Sequence, residues 1–141
     1  MNETTGDGFL AIFHDADRLK HPVTAVDTAL SLLAATERLN QETDQSPLAI
    51  HMGLSSGTAL VGSARLEGQR GTRWIYTASG PAINLAARLA SVAAAGQIMV
   101  GPEMVCRLGQ RYLLENLGPR PLRNIAAPVD ICRVVGPNIA V

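Results

Sequence analysis

An α/β fold, one sheet covered by helices, is predicted by the 141 residues of this chain. Three observations carry that expectation. Apolar residues repeat at helical spacing in one long stretch and at period two in another. Glycine and proline punctuate the segments between them. The resulting order is strand, strand, helix, strand, strand, strand, helix, strand, helix, strand, strand, with no internal repeat and no low-complexity tract. The length suits one domain that buries its core without metal or disulfide support.

Each element has a local reason. NETTGDGFLAIF, residues 2–13, holds two strand-like runs around Gly-Asp-Gly. Gly6 and Gly8 tolerate the backbone angles of a tight hairpin turn, which puts the Asp7 carboxylate at its tip. From Pro22 to about Gln41, Val23, Val26, Leu30 and Leu33 recur on one face of an amphipathic helix, while Asp27, Ser31 and Arg38 fall elsewhere. NQETDQSP, residues 40–47, ends it, and Leu48, Ile50, Met52 and Leu54 then alternate as a core strand. Residues 58–80 form two β-rich runs flanking EGQRG, a β-hairpin or protruding arm. Ser79-Gly80-Pro81 stops the second run and opens a helix over residues 82–94. Gln97–Val100 is a short strand, Pro102 opens a helix to about Leu108, and VDICRVVG near the end is a terminal strand.

Composition excludes several functions. Twelve basic side chains face twelve acidic ones, so no polyanion-binding surface or acidic tail is indicated. Aromatics are 4%, which gives stacked-base recognition of nucleic acid little support. No apolar run is long enough to cross a bilayer and no basic-then-apolar leader opens the chain, so a cytoplasmic location is expected. Cys106 and Cys132 lie outside any Cys-x-x-Cys spacing and read as reduced thiols. His14, His21 and His51 show no ligand spacing and read as ordinary structural or surface residues.

Chemistry concentrates in GPAINLAARLAS, residues 80–91. Between Ala82 and Ser91 the polar side chains are Asn84, Arg88 and Ser91, at i, i+4 and i+7 on one helix face. A solvated stripe accounts for such a face, yet solvated stripes favour Lys and Glu. Asn with Arg instead offers directional donors suited to ribose and phosphate oxygens, and Arg88 can offset charge developing on a phosphoryl group. Asp7 suits Mg²⁺, which takes one or two carboxylates and fills its shell with water and phosphates; alone it is also a plain turn residue. GLSSG and VGSARLEGQRG match neither the dinucleotide fingerprint nor the P-loop and read as turns. Trp74 and Tyr76, two apart on one strand face, read as packing or a dimer contact before stacking.

Taken in order, TGDGFLAIF, IHMGLSSG, RWIYTASGPAINLAARLAS, GQIMVGP and LGPRPLRNIAAPVDICRV make the chain resemble the class III nucleotidyl cyclase homology domain of bacterial adenylate and guanylate cyclases. NLAAR in that context is highly specific. The resemblance implies a ferredoxin-like βαβ sheet, α/β in class, covered by helices and carrying a β-hairpin arm. It implies a homodimer, or a heterodimer with another cyclase domain, whose two active sites draw on both subunits. The reaction is conversion of ATP to cyclic AMP and pyrophosphate, assisted by two Mg²⁺ or Mn²⁺ ions. By position, Asp7 is similar to the second metal-binding aspartate, Asn84 to the asparagine that orients the ribose, and Arg88 to the arginine that stabilises the pentacovalent phosphorus. Arg123 stands where the family commonly has a triphosphate-binding lysine, and Glu3 and Thr77 at the two base-selectivity positions.

Two departures set the alternatives. Glu3 can accept from the guanine N1 and N2 hydrogens whereas adenine N1 is itself an acceptor, so Glu3 argues for GTP while Thr77 agrees with ATP. The family's first strand carries its other metal-binding aspartate, and a βα unit leading into a further strand needs roughly 30 residues where six precede Asp7. The expectation is thus a partial cyclase homology domain over residues 1–136 lacking that strand and its helices, with residues 137–141 as a tail and catalysis impaired. The alternative is a nucleotide-binding or dimerising regulatory module. A diguanylate cyclase is disfavoured by the missing Gly-Gly-Asp/Glu-Glu-Phe signature.

Overall fold

The computed structural model describes residues 2–5, 7–69 and 71–140, and the side chains of these except at 2–5, 64, 66 and 73–76. The elements are β1 (Asn2–Thr5), β2 (Gly8–Ala11), α1 (Lys20–Glu42), β3 (Met52–Leu54), β4 (Leu60–Gly68), β5 (Gly71–Ser79), α2 (Pro81–Val92), β6 (Ile98–Val100), α3 (Pro102–Leu108), β7 (Tyr112–Arg120) and β8 (Val129–Pro137). That is the order the periodicities predict.

The central sheet is mixed, with strand order β3-β6-β8-β7. β3 runs parallel to β6, while β8 is antiparallel to both β6 and β7. Alternation along β6 distributes the core to both faces. Ile98 and Val100 join Val26 and Ala29 of α1, Met104 and Leu108 of α3, Tyr112 and Val134. Met99 points the other way, to Leu89 of α2, Leu122 and Ile131. Helices therefore cover both faces, and α2 alone takes the second.

Among the described residues β1-β2 and β4-β5 are separate antiparallel pairs beside the sheet, the opening hairpin and the arm that the sequence predicts. In the first, Thr5 pairs with Gly8 and so places Asp7 in the turn. In the second, Gly68 pairs with Gly71, where φ is +118°, so the strands run almost to the tip of the arm.

Helix and strand ends moved for identifiable reasons. α1 begins two residues before Pro22, because the Asp17 carbonyl accepts from the Lys20 amide and its carboxylate from the Leu19 amide. The strand expected from Leu48 narrows to Met52–Leu54. The Asn40 side chain satisfies both the amide and the carbonyl of Leu48, at 2.8 Å each, leaving Leu48 no backbone group to give a ladder. Cys106 and Cys132 are both free thiols, and burial, with the Asp130 charge, pushes the Cys132 thiol above the usual range.

Candidate active site on helix α2

Helix α2 is the element on which the expected chemistry converges. Gly80 precedes it with φ +131° and Pro81 occupies its first turn, so the chain leaves β5 and enters the helix abruptly. The first helical bond runs from the Asn84 amide to the Gly80 carbonyl at 3.1 Å. Leu89 is fully buried and Leu85 half-buried beside it, which sets the inward face. Asn84 is exposed and Arg88 half-buried, on the i, i+4 stripe. Ser91, third in that stripe, turns its hydroxyl back on the helix and donates to the Arg88 carbonyl at 2.7 Å. It adds nothing outward.

The ion pairs among the described residues are Arg65 with Glu67, Arg107 with Glu103, and Arg133 with Glu115. Arg88 and Arg123 belong to none of them. Arg123 is exposed in the connection between β7 and β8. Its neighbour Leu122 packs in one apolar cluster with Leu89, the neighbour of Arg88. The two guanidinium-bearing residues therefore border the same cluster from two different elements.

The remaining expected residues are more scattered. Thr77 is half-buried in β5, opposite Gly62. Asp7 is exposed at the β1–β2 turn, and no described hydrogen bond or ion pair links it to α2 or to the β7–β8 connection. The side chains of Glu3, Trp74 and Tyr76 lie outside the described residues, although Glu3 itself pairs with Leu10 in the β1–β2 ladder. Among the described residues no three His, Cys, Asp or Glu side chains converge as a metal centre. Asp7 offers one carboxylate, the share a protein commonly gives a phosphate-bound Mg²⁺, but the described residues do not build a two-ion centre.

Three features of this region were not predicted from the sequence. An open groove of about 480 Å³ lies against the start of α2, bordered by Ser55, Ser56, Thr58, Leu60, Ser79 and Leu85. None of the predicted site residues lines it. Gly53 of β3 lets α2 come so close that a Cβ there would overlap the Ala86 carbonyl oxygen and the Ala90 amide nitrogen. His51 reaches the same helix, with Nδ1 2.7 Å from the Ala90 carbonyl oxygen. The available signal was strand parity, since His51 and Gly53 are two residues apart and share a face.

Residues 2–129 match the family described as the adenylate and guanylate cyclase catalytic domain. The chain is 29% identical over 142 residues to an uncharacterised protein of Rhizobium meliloti (strain 1021), covering 100% of this chain and 13% of that protein. It thus spans a small part of that relative's length. The crystal structure of the adenylyl cyclase CyaB from P. aeruginosa is similar with a TM-score of 0.85 and 26% identity, over 99% of this chain and 73% of that one. The guanylate cyclase domain of RhGC from Catenaria anguillulae, solved in complex with GTP, shares the fold with a TM-score of 0.77 and 20% identity, over 96% of this chain and 70% of that one. With its sequence matched from residue 2 to residue 129 and its fold shared with solved cyclases of both kinds, the chain belongs to the adenylate and guanylate cyclase catalytic domain family.

Proposed function

We propose that this chain contributes to a nucleotidyl cyclase centre that converts ATP to cyclic AMP and pyrophosphate. The observation that carries the reading is the Asn84–Arg88 stripe: two directional donors on a helix fixed by its buried face, with Arg88 free of the described ion pairs. In the reaction the ribose 3′ oxygen forms a bond to the α-phosphorus, the bond from that phosphorus to the β-phosphate bridging oxygen breaks, and the hydroxyl proton leaves to solvent. Asn84 orients the ribose so that attack is in line. Arg88 donates to the equatorial oxygens, whose negative charge grows as the phosphorus becomes five-coordinate. Arg123 holds the β- and γ-phosphates; as a planar fork it binds them with a different geometry from a lysine.

A bound Mg²⁺ or Mn²⁺ supplies neutralisation of the phosphates, and Asp7 is the described carboxylate suited to hold it. Among the described residues no hydrogen bond or ion pair joins Asp7 to α2 within one chain, in keeping with a centre assembled by two chains, Asp7 from one and Asn84 with Arg88 from the other. GTP is the second substrate reading, carried by the hydrogen-bond chemistry of Glu3. A regulatory module that binds nucleotide or dimerises without turnover is the other functional reading, and it rests on the single carboxylate.

The test is chromatographic analysis of product from the purified protein with Mn²⁺ and ATP or GTP. Formation of cyclic AMP, reduced by on the order of 10²-fold or more in Arg88→Ala, is the expected result. Nucleotide binding with no product from either substrate selects the regulatory module, and cyclic GMP as the main product selects the second substrate.

A further inference from the structure

We propose that His51 is a positioning residue for this centre: its imidazole fixes how α2 rests on β3, and so where Asn84 and Arg88 point. The inference rests on the cyclase reading for its functional consequence. The geometry behind it is independent of that reading.

Gly53 faces α2, because its missing side chain is what admits the Ala86 and Ala90 backbone. Met52, the next residue along the strand towards His51, packs instead with the α1 cluster. His51, two residues from Gly53, therefore lies on the α2 side. The contact at Gly53 sets how near the helix comes. It does not set rotation about the helix axis or sliding along it, since backbone against a bare Cα has no side chain to interlock. The bond from His51 to Ala90 supplies a direction at 2.7 Å.

The buried Leu89 and half-buried Leu85 choose which face of α2 turns inward, but apolar contacts carry no direction of their own, and the helix ends add little. The helix lacks a side-chain cap at its N-terminus and has no basic residue in its last turn. A donor beside the last carbonyls complements the partial negative charge there, and here it comes from the segment leading into β3. Ala90 lies two residues beyond Arg88 and six beyond Asn84 in one 12-residue helix, so a roll at Ala90 moves both. Arg88 has no described ion pair to hold it against such a roll.

To donate to a carbonyl, Nδ1 must carry the ring proton. Long-range ¹H–¹⁵N spectra of the purified protein near neutral pH are expected to show His51 protonated at Nδ1. A ring protonated at Nε2 alone overturns the proposal. In His51→Ala, the side-chain amide of Asn84 and the Nε–H of Arg88 are expected to move from their wild-type resonances. His51→Asn places an amide nitrogen where Nδ1 stands and is expected to return them. In turnover, His51→Ala is expected to lower kcat on the order of tenfold with KM little changed, and His51→Asn to recover most of it. Melting curves matched among the variants separate this from unfolding. Resonances and kcat that stay at wild type in His51→Ala, or that fall equally in His51→Asn, overturn the proposal. If wild type and Arg88→Ala are equally silent in turnover, the cyclase reading fails, while the tautomer and resonances still decide what His51 does to α2.

Discussion

Tyr112 is 6% exposed, and its hydroxyl donates to Asp27 Oδ1 at 2.6 Å. The bond joins the first residue of β7 to the first half of α1. Burial, then the hydrogen bond and charge of Asp27, hold the phenol well above the usual tyrosine range, with Arg111 opposing. The folded state therefore favours the protonated phenol. Its contribution is fully present below the ordinary value of 10.0 and is lost as pH rises through the higher folded value. Tyr112→Phe is expected to cost about 1 kcal/mol in urea unfolding, nearer the value of a neutral hydrogen bond than of one to a charged group because Asp27 is exposed. The gap between variant and wild type should close in alkaline solution above pH 10. A gap that widens there would contradict the sign.

At the scale of elements, the packing of α2 on β3 decides most. Gly53→Ala forces a methyl into the helix backbone and is expected to destabilise by about 3 kcal/mol, with a matching fall in thermal midpoint. Gly62→Ala, on β4 with no atom within 4 Å of its Cβ, serves as the near-neutral control. This packing also marks what the sequence could and could not disclose. The α2 stripe was legible because helical period is a local property, and the turn at Asp7 because glycine is a local signal. The end of β3 was not, since Leu48 alternates correctly with Ile50 but loses its backbone groups to Asn40, a residue eight positions away. For His51, strand parity could give the face it shares with Gly53 but not its partner, because Ala90 is 39 positions along the chain and offers only a carbonyl. A backbone group leaves no trace in a pattern of side chains.

For the whole molecule, the question is assembly, since no described hydrogen bond or ion pair joins Asp7 to α2. Leu60, 76% exposed at the base of the arm, and half-exposed Phe9 on β2 give the surface apolar area suited to a second chain. If each centre is shared between two chains, Asp7→Ala and Arg88→Ala proteins are each silent alone. Mixed, they are expected to regain product formation, because a mixed dimer has one centre carrying both changes and one carrying neither. Absence of recovery, with mixed dimers verified by native mass, would place the whole centre within one chain.

Strand β3 gives a last consequence through the rate at which its amides trade hydrogen with solvent. Its ladder partner among the described residues is β6, on one side only, and the Met52 amide spends its hydrogen on the Gln97 carbonyl. In a parallel pair the next amide, Gly53, points to the opposite edge. Deuterium uptake followed residue by residue is therefore expected to be slow at Met52 and Leu54 and fast at Gly53. A Gly53 amide that slows as protein concentration rises would report that the open edge has found a strand, making one glycine a clock for assembly.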